Sequence, residues 1–581
     1  MDERLSRVES AVEELSQRFA DLERRVAAIE PVTAAASTAK GEPARPPALT
    51  PAAAPDAVAI LALIGRTLII LGGGYLLRAL TEAGALPGGA GAAFGLAYAG
   101  LMLLAADRAG GRGRNAAATA CGVAATLLAY PLLWEITARF ALVGPAGSAA
   151  ALAAFTGAAL LVAWRRRAHA FAWAATLGGL AASVGLLVAT RATIPYAAFL
   201  VALGVATLWL GYDREWKLLR WPVALAADFA AVGLILRALS DAPSNPPGLV
   251  VTVLLALVGA YLASIAARTL ARGRDVIPFE VVQTGAALVV GLGGAVAVSR
   301  GTGIGTAGLG ASSLVLGALS YAVAFAFVDK RQGRGRNFYF YTSLGIVFTL
   351  VGGRLLLSGG AQVAVWAGLA ALTGWLGARF ARLALSLHSA VYLSAAAFQA
   401  GMSGSVIAAL AGGASGPWTL PTAGALLVLG GGVLCAAAGR CAEREGARWL
   451  SGVARLVVAT ILVGVGGGVL ISSLVAVLSV RGAVATPGMV ATTRTVVLAL
   501  ASIALAWSAR FDRLREWGWL VYPVLLGTAL KLVVEDLRVS PASVLFIALA
   551  AYGIALALAP RLLRSGARFR VLASHPSAEA G

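Results

Sequence analysis

The segment Arg214–Arg274 reads REWKLLRWPVALAADFAAVGLILRALSDAPSNPPGLVVTVLLALVGAYLASIAARTLARGR, and its layout decides the fold. A basic clip (Arg214, Lys217, Arg220) opens it, and an apolar run from Pro222 to Leu236 follows. That run ends at Arg237 and a polar, proline-bearing turn, Ser240 to Gly248. A second apolar run, Leu249 to Ala267, closes on Arg268, Arg272 and Arg274. Each run has about the 15–20 residues that a helix needs to cross a hydrocarbon core. Lipid offers the backbone no hydrogen-bond partner, so each run must satisfy its own amides as a helix. The segment is therefore expected to be a transmembrane hairpin with its basic ends on one side.

Composition extends this reading to the chain. Of 581 residues, 59% are hydrophobic and only 13% charged, about half the charge of an ordinary soluble domain. The net charge of +20 is carried almost wholly by Arg. A nucleic-acid binder gathers such charge on one face or arm, whereas here it falls in packets between apolar runs, as membrane orientation requires. No nucleic-acid partner is expected. Cys121, Cys435 and Cys441 form no CxxC, and His169, His388 and His575 stand far apart, so neither a disulfide framework, a metal site nor a cofactor is expected.

From Ala57 onward hydropathy and length predict about eighteen spans, arranged as repeated hairpins. Packets fall at alternate loops: Arg108–Arg114, Arg165–Arg167, Arg214–Arg220, Arg268–Arg274, Lys330–Arg336, Arg379–Arg382, Arg440–Arg448, Arg510–Arg515 and Arg561–Arg570. The intervening loops carry one or two basic residues, among them Arg139, Arg191, Arg237, Arg300, Arg354, Arg481 and Arg538. The positive-inside rule makes the packets cytoplasmic, with both termini inside. The fold class is thus all-α, a polytopic integral membrane helical bundle. Residues 57–560 form the membrane domain and 561–581 a basic cytoplasmic tail.

Residues 1–30 read as a short cytoplasmic coiled coil. Leu5, Val8, Val12, Leu15, Phe19, Leu22, Val26 and Ile29 recur in steps of three and four along one seam. With Leu5 at position a, the flanking pairs Arg4–Glu9, Arg18–Glu23 and Arg25–Glu30 are opposite in sign in a parallel arrangement. A parallel homo-oligomer is expected, alongside membrane lipids as partners. Residues 31–56, rich in Ala and Pro, form an extended linker.

Two stretches carry a resemblance. IGRTLIILGGGYLLRALTEAGALPGG (Ile64–Gly89) and ALKLVVEDLRVSPASVLFIALAAYGIALALAPRLLR (Ala529–Arg564) resemble the first hairpin and C-terminal signature of a bacterial family of predicted multi-pass membrane proteins with an N-terminal coiled coil and a Pro-rich linker. Lys531 and Asp536 fall on that family's Lys-x-x-x-x-Asp-Leu pattern, while Gly88–Gly91 stand where it commonly has an Arg. The resemblance implies this layout and assigns no activity.

Charges inside a bilayer are costly and are candidates for function. Asp228 lies within a span, able to relay a proton, bind a cation or pair with a basic neighbour. Arg66 interrupts the first span, where its stem can snorkel to the interface. Lys531, Glu535, Asp536 and Arg538 form the densest charged group near an external helix end; Lys531 and Glu535 share a helix face, leaving Asp536 for Arg538 or a ligand. Arg237, with Arg191, Arg300 and Arg354, can rim an anion-attracting cavity or touch lipid headgroups. Walker, HExxH and GxSxG motifs are missing, and external acids (Glu82, Glu135, Asp241, Glu535, Asp536) are few. The expected protein is a non-enzymatic inner-membrane scaffold or a carrier of lipid-like or anionic solutes. The alternative is a cell-envelope glycosyltransferase-like enzyme using Glu82, Asp241 or Asp536.

Overall fold

A computed structural model of the chain describes residues 65, 72, 73, 83 and 87–573, apart from 241–244, 329–334, 381, 412–417, 439–447 and 481–485. The coiled-coil seam, the 31–56 linker, Arg66, Glu82, Asp241 and nearly all of the first expected span lie outside the described residues.

Among the described residues the elements are helices, and none is a strand. Fifteen are long and apolar enough to span a membrane. They begin with α1 (Gly89–Gly111), α2 (Asn115–Arg139), α3 (Pro145–Arg166) and α4 (His169–Thr190). The opening hairpin and its neighbours are α5 (Thr193–Asp213), α6 (Arg220–Ala238), α7 (Pro247–Ala271) and α8 (Pro278–Thr302). Next come α9 (Thr306–Val328), α10 (Gly335–Leu356) and α11 (Gly359–Phe380). A bent pair follows, α12 (Leu383–Gln399) and α13 (Met402–Ala411), then the shorter apolar α14 (Ala423–Ala438). The chain ends with α15 (Trp449–Ser479), α16 (Pro487–Ser508), α17 (Leu514–Val539) and α18 (Ala542–Arg564). Counting the bent pair as one span gives sixteen. The last helix continues past Pro560 to Ala573, so helix extends into the segment read from sequence as a basic tail.

Local sequence explains where these helices start and bend. Pro247, Pro278 and Pro487 occupy the first turns of α7, α8 and α16, where a missing N–H costs nothing. Between α12 and α13 the axis turns by 68°. Gly401 makes that turn with φ +70°, a conformation a side chain rarely adopts. Five helices contain a π-helical turn, at Glu135–Arg139, Ala267–Ala271, Ala287–Leu292, Val323–Val328 and Leu532–Asp536.

The contacts divide the chain into two units, residues 1–132 with 161–175, and residues 133–160 with 176–581. In the first, Arg166 pairs with Asp107 at 2.8 Å, and the Tyr130 hydroxyl donates to the Ala175 carbonyl at 2.8 Å. In the second, α11, α12, α14 and α15 pack around Trp366, Tyr392, Leu393, Val428 and Val458. α16, α17 and α18 enclose Ala499, Leu505, Val521, Leu525 and Ala555. α9 and α10 approach closely on small residues. A β-carbon at Gly352 would lie 2.8 Å from the Gly310 carbonyl, and one at Gly317 would lie 3.2 Å from the Gly345 carbonyl. Small residues at such seams let backbones meet where lipid supplies no hydrophobic drive. Large apolar side chains point outward, including Leu225, Phe229 and Leu236 of α6 and Leu526 and Leu530 of α17. Rows of this kind fit a lipid-facing surface and would be an aggregation liability in water.

In the second unit, hydrogen bonds between helix ends sort the loops into the two sets that charge defines. Arg237 donates to the Arg191 carbonyl (2.7 Å), Asn245 to Thr193 (2.9 Å) and Arg300 to the Arg354 carbonyl (3.0 Å), all at sparsely charged ends. Asn337 donates to the Arg274 carbonyl (3.0 Å), and Arg455 pairs with Glu516, both at packet ends. The chain is a multi-pass helical membrane protein.

Candidate functional site

One set of charged groups that comes together inside the bundle is Arg494, Lys531, Glu535 and Asp536. Arg494 lies seven residues into α16, on the order of 10 Å from its start. It is 2% exposed. Its Nε donates to the Ala409 carbonyl of α13 (2.6 Å) and its Nη1 to Glu535 Oε1 of α17 (2.6 Å), and the guanidinium stands 5.8 Å from the Trp418 ring. One side chain therefore ties the broken helix to α17.

Lys531 extends the network. Its ammonium donates to Asp536 Oδ2 (2.7 Å), to Thr495 Oγ1 (2.9 Å) and to the Ala491 carbonyl. Thr495 in turn donates to Asp536 Oδ2 at 3.0 Å. Lys531 and Glu535, expected as the direct i,i+4 pair, stand 3.6 Å apart, farther than Lys531 and Asp536. The reason is the π-helical turn Leu532–Asp536, whose i→i+5 period brings Asp536 round to Lys531. Arg538, the other partner expected for Asp536, is exposed. Asp536 itself is fully buried, and its Oδ1 has no hydrogen-bond partner among the described residues. Glu535 keeps 30% of its side chain exposed, the outward edge of the cluster.

Chemically, the cluster balances two cations against two carboxylates, and Lys531 spends all three N–H donors internally. Arg494 is the group best suited to an incoming anion, since a guanidinium offers a planar fork of donors. π-helical turns and discontinuous helices recur where membrane proteins hold ligands.

The other expected residues are elsewhere. Asp228, 9% exposed on α6, accepts from Gln283 Nε2 of α8 at 3.1 Å, and no basic residue pairs with it among the described residues. The helix lock at this position is an amide–carboxylate bond. Arg237 bridges to the Arg191 carbonyl, and Arg300 to that of Arg354, so these arginines join loop ends in pairs. Among the described residues no group of His, Cys, Asp and Glu is arranged to hold a metal ion.

Sequence reading did not single out Arg494 or Glu280. Arg494 carried a signal, a lone charge within the apolar run Met489–Ser508. Glu280 carried less, lying two residues after a helix-initiating proline. Comparison with protein-family models, curated proteins and solved structures returns no match, so the resemblance at the two ends of the chain remains an expectation and geometry carries the functional argument.

Proposed function

We propose that the chain is a carrier of small anionic or lipid-like solutes in the bacterial inner membrane. In this reading both termini are cytoplasmic and residues 1–30 join copies in parallel. The observation that carries it is Arg494, a buried guanidinium clamped between the Ala409 carbonyl of a broken helix and the partly exposed Glu535 carboxylate. A solute anion arriving past Glu535 replaces that carboxylate on the guanidinium, exchanging one charge-assisted pair for another. Because Arg494 also holds α13, the exchange is transmitted to the 68° bend at Gly401, where a change in backbone dihedrals moves the half-helix.

The test is uptake of a panel of small carboxylates, phosphate and an anionic phospholipid analogue by proteoliposomes. Arg494→Gln should abolish saturable flux while the protein still inserts. Glu535→Gln should lower KM, because it removes the internal competitor. Wild-type flux through Arg494→Gln, or no flux of any panel member through the wild type, would sink the reading.

A further inference from the structure

At the opposite end of the bundle, α5–α8 hold a second charged group with a different balance. Glu280 is fully buried at its centre. Its carboxylate accepts from Arg268 Nη1 on both oxygens (2.9 Å each), from the Tyr212 hydroxyl (2.5 Å) and from the Ile277 backbone N–H (2.8 Å). Those four contacts fill the lone-pair positions of a carboxylate. Arg220, the first residue of α6, is beside it and only 6% exposed. Its guanidinium lies 4.4 Å from the Phe279 ring centroid. Among the described residues it makes no hydrogen bond or ion pair, and its Nε is sealed from solvent.

A buried cation needs an opposite charge and acceptors for its N–H groups, and the face of one aromatic ring supplies neither in full. Glu280 is saturated by other donors. Nearby charge adds to the demand, because Arg268 stacks on Tyr212 (4.8 Å) and Arg272 on Trp209 (4.9 Å). Arg220 and Arg268 thus rest on aromatic faces beside one occupied carboxylate, and Arg272 rests on a third ring, Trp209, that packs edge-on against Tyr212. The group sits at a packet end of its helices, at the level where a span meets the headgroups.

We infer that Arg220, supported by Arg268 and Phe279, binds a phosphate-type anion at this end of α5–α8. The planar fork of donors on Arg220 matches the oxygens of a phosphate bidentately. The site is separate from Arg494 and does not depend on the carrier reading. Such an anion comes either from a phospholipid headgroup or from free phosphate, and the two sources separate in one experiment.

Full-length protein in a neutral detergent is titrated with phosphatidylglycerol, with diacylglycerol as the phosphate-free control, and with inorganic phosphate, and bound species are read by native mass spectrometry. Binding of phosphatidylglycerol over diacylglycerol by about tenfold, without competition from phosphate, identifies a headgroup site; saturable phosphate binding identifies a soluble anion. In either case Arg220→Gln should weaken binding about tenfold or more. Arg274→Gln, which removes an equal charge from an exposed position in the next packet, Arg268–Arg274, should change it by less than about twofold. Where Arg220→Gln does not fold, Arg220→Lys serves. It keeps the charge but loses the fork, and should bind about fivefold more weakly or worse. Equal effects of Arg220→Gln and Arg274→Gln, wild-type affinity in Arg220→Lys, or no anion bound in either arm would overturn the assignment.

Discussion

Lys531 Nζ stands 2.7 Å from Asp536 Oδ2, five residues apart on one helix, while Glu535, four residues away, pairs with Arg494 of another. The π-helical turn between them lets Lys531 reach Asp536 at the shorter distance, while Glu535 keeps its i,i+4 pair with Lys531 at 3.6 Å and makes its closer contact with Arg494. Thr495 joins the Lys531–Asp536 pair and the Ala409 carbonyl joins the Arg494–Glu535 pair, so the two ion pairs lock α16 and α17 together in a medium without water to replace a lost partner.

Lys531→Met should therefore destabilise the protein by about 3–5 kcal/mol, because it strands a fully buried carboxylate. The double variant Lys531→Met with Asp536→Leu should recover most of that loss, since replacing a buried pair by apolar groups is often neutral. Thermal unfolding in detergent across this cycle reads the coupling. A loss in the double variant equal to the sum of the Lys531→Met and Asp536→Leu losses would show that the two residues act independently.

Asp228 and Gln283 behave as a polar lock between α6 and α8. Gln283→Leu removes the only hydrogen bond to a nearly buried carboxylate among the described residues, and should cost about 1–3 kcal/mol. Asp228→Asn keeps an acceptor oxygen for the amide and should cost less than about 1 kcal/mol. The difference is measured as a gap in melting temperature between the two variants. A reversed order would mean that the charge of Asp228 is held by something other than Gln283.

The helical bundle was legible because lipid leaves a long apolar run little choice but helix, and because the basic clips mark alternate ends. The opening hairpin at Arg214–Arg274 appears as α6 and α7, joined within the expected turn. The clustered charges were less legible for two reasons. Reading Lys531 at the ordinary helical period selects Glu535, and no local pattern announces a π-turn that selects Asp536. Arg494 shows itself as a charge in an apolar run, but its partners Ala409 and Glu535 come from helices far along the chain. Only the folded arrangement shows that these groups share one place.

The α9–α10 seam gives a packing prediction. Gly352→Ala places a methyl 2.8 Å from the Gly310 carbonyl and against Leu314, so the helices must separate. The expected cost is about 1–3 kcal/mol, typical of overpacking. Gly308→Ala, also on α9 but facing open space, should be neutral or stabilising by a few tenths up to about 1 kcal/mol through helix propensity. Unfolding midpoints of the two variants compare the sites directly, and equal shifts would refute a close seam.

The sorting of helix ends yields the most exposed prediction. Arg300 donates to the Arg354 carbonyl and Asn337 to the Arg274 carbonyl, so positions 300 and 354 share one side and 274 and 336 the other. By the positive-inside rule the second side is expected to be the cytoplasmic one. In a background with Cys121, Cys435 and Cys441 replaced, Arg300→Cys and Arg354→Cys should react with a membrane-impermeant maleimide in intact cells. Arg274→Cys and Arg336→Cys should react only after permeabilisation. Reversal of all four would invert the orientation while keeping the alternation, whereas a split within either pair would break the alternation itself. Because each crossing fixes the next, one misplaced span between residues 274 and 354 would be enough to produce that split.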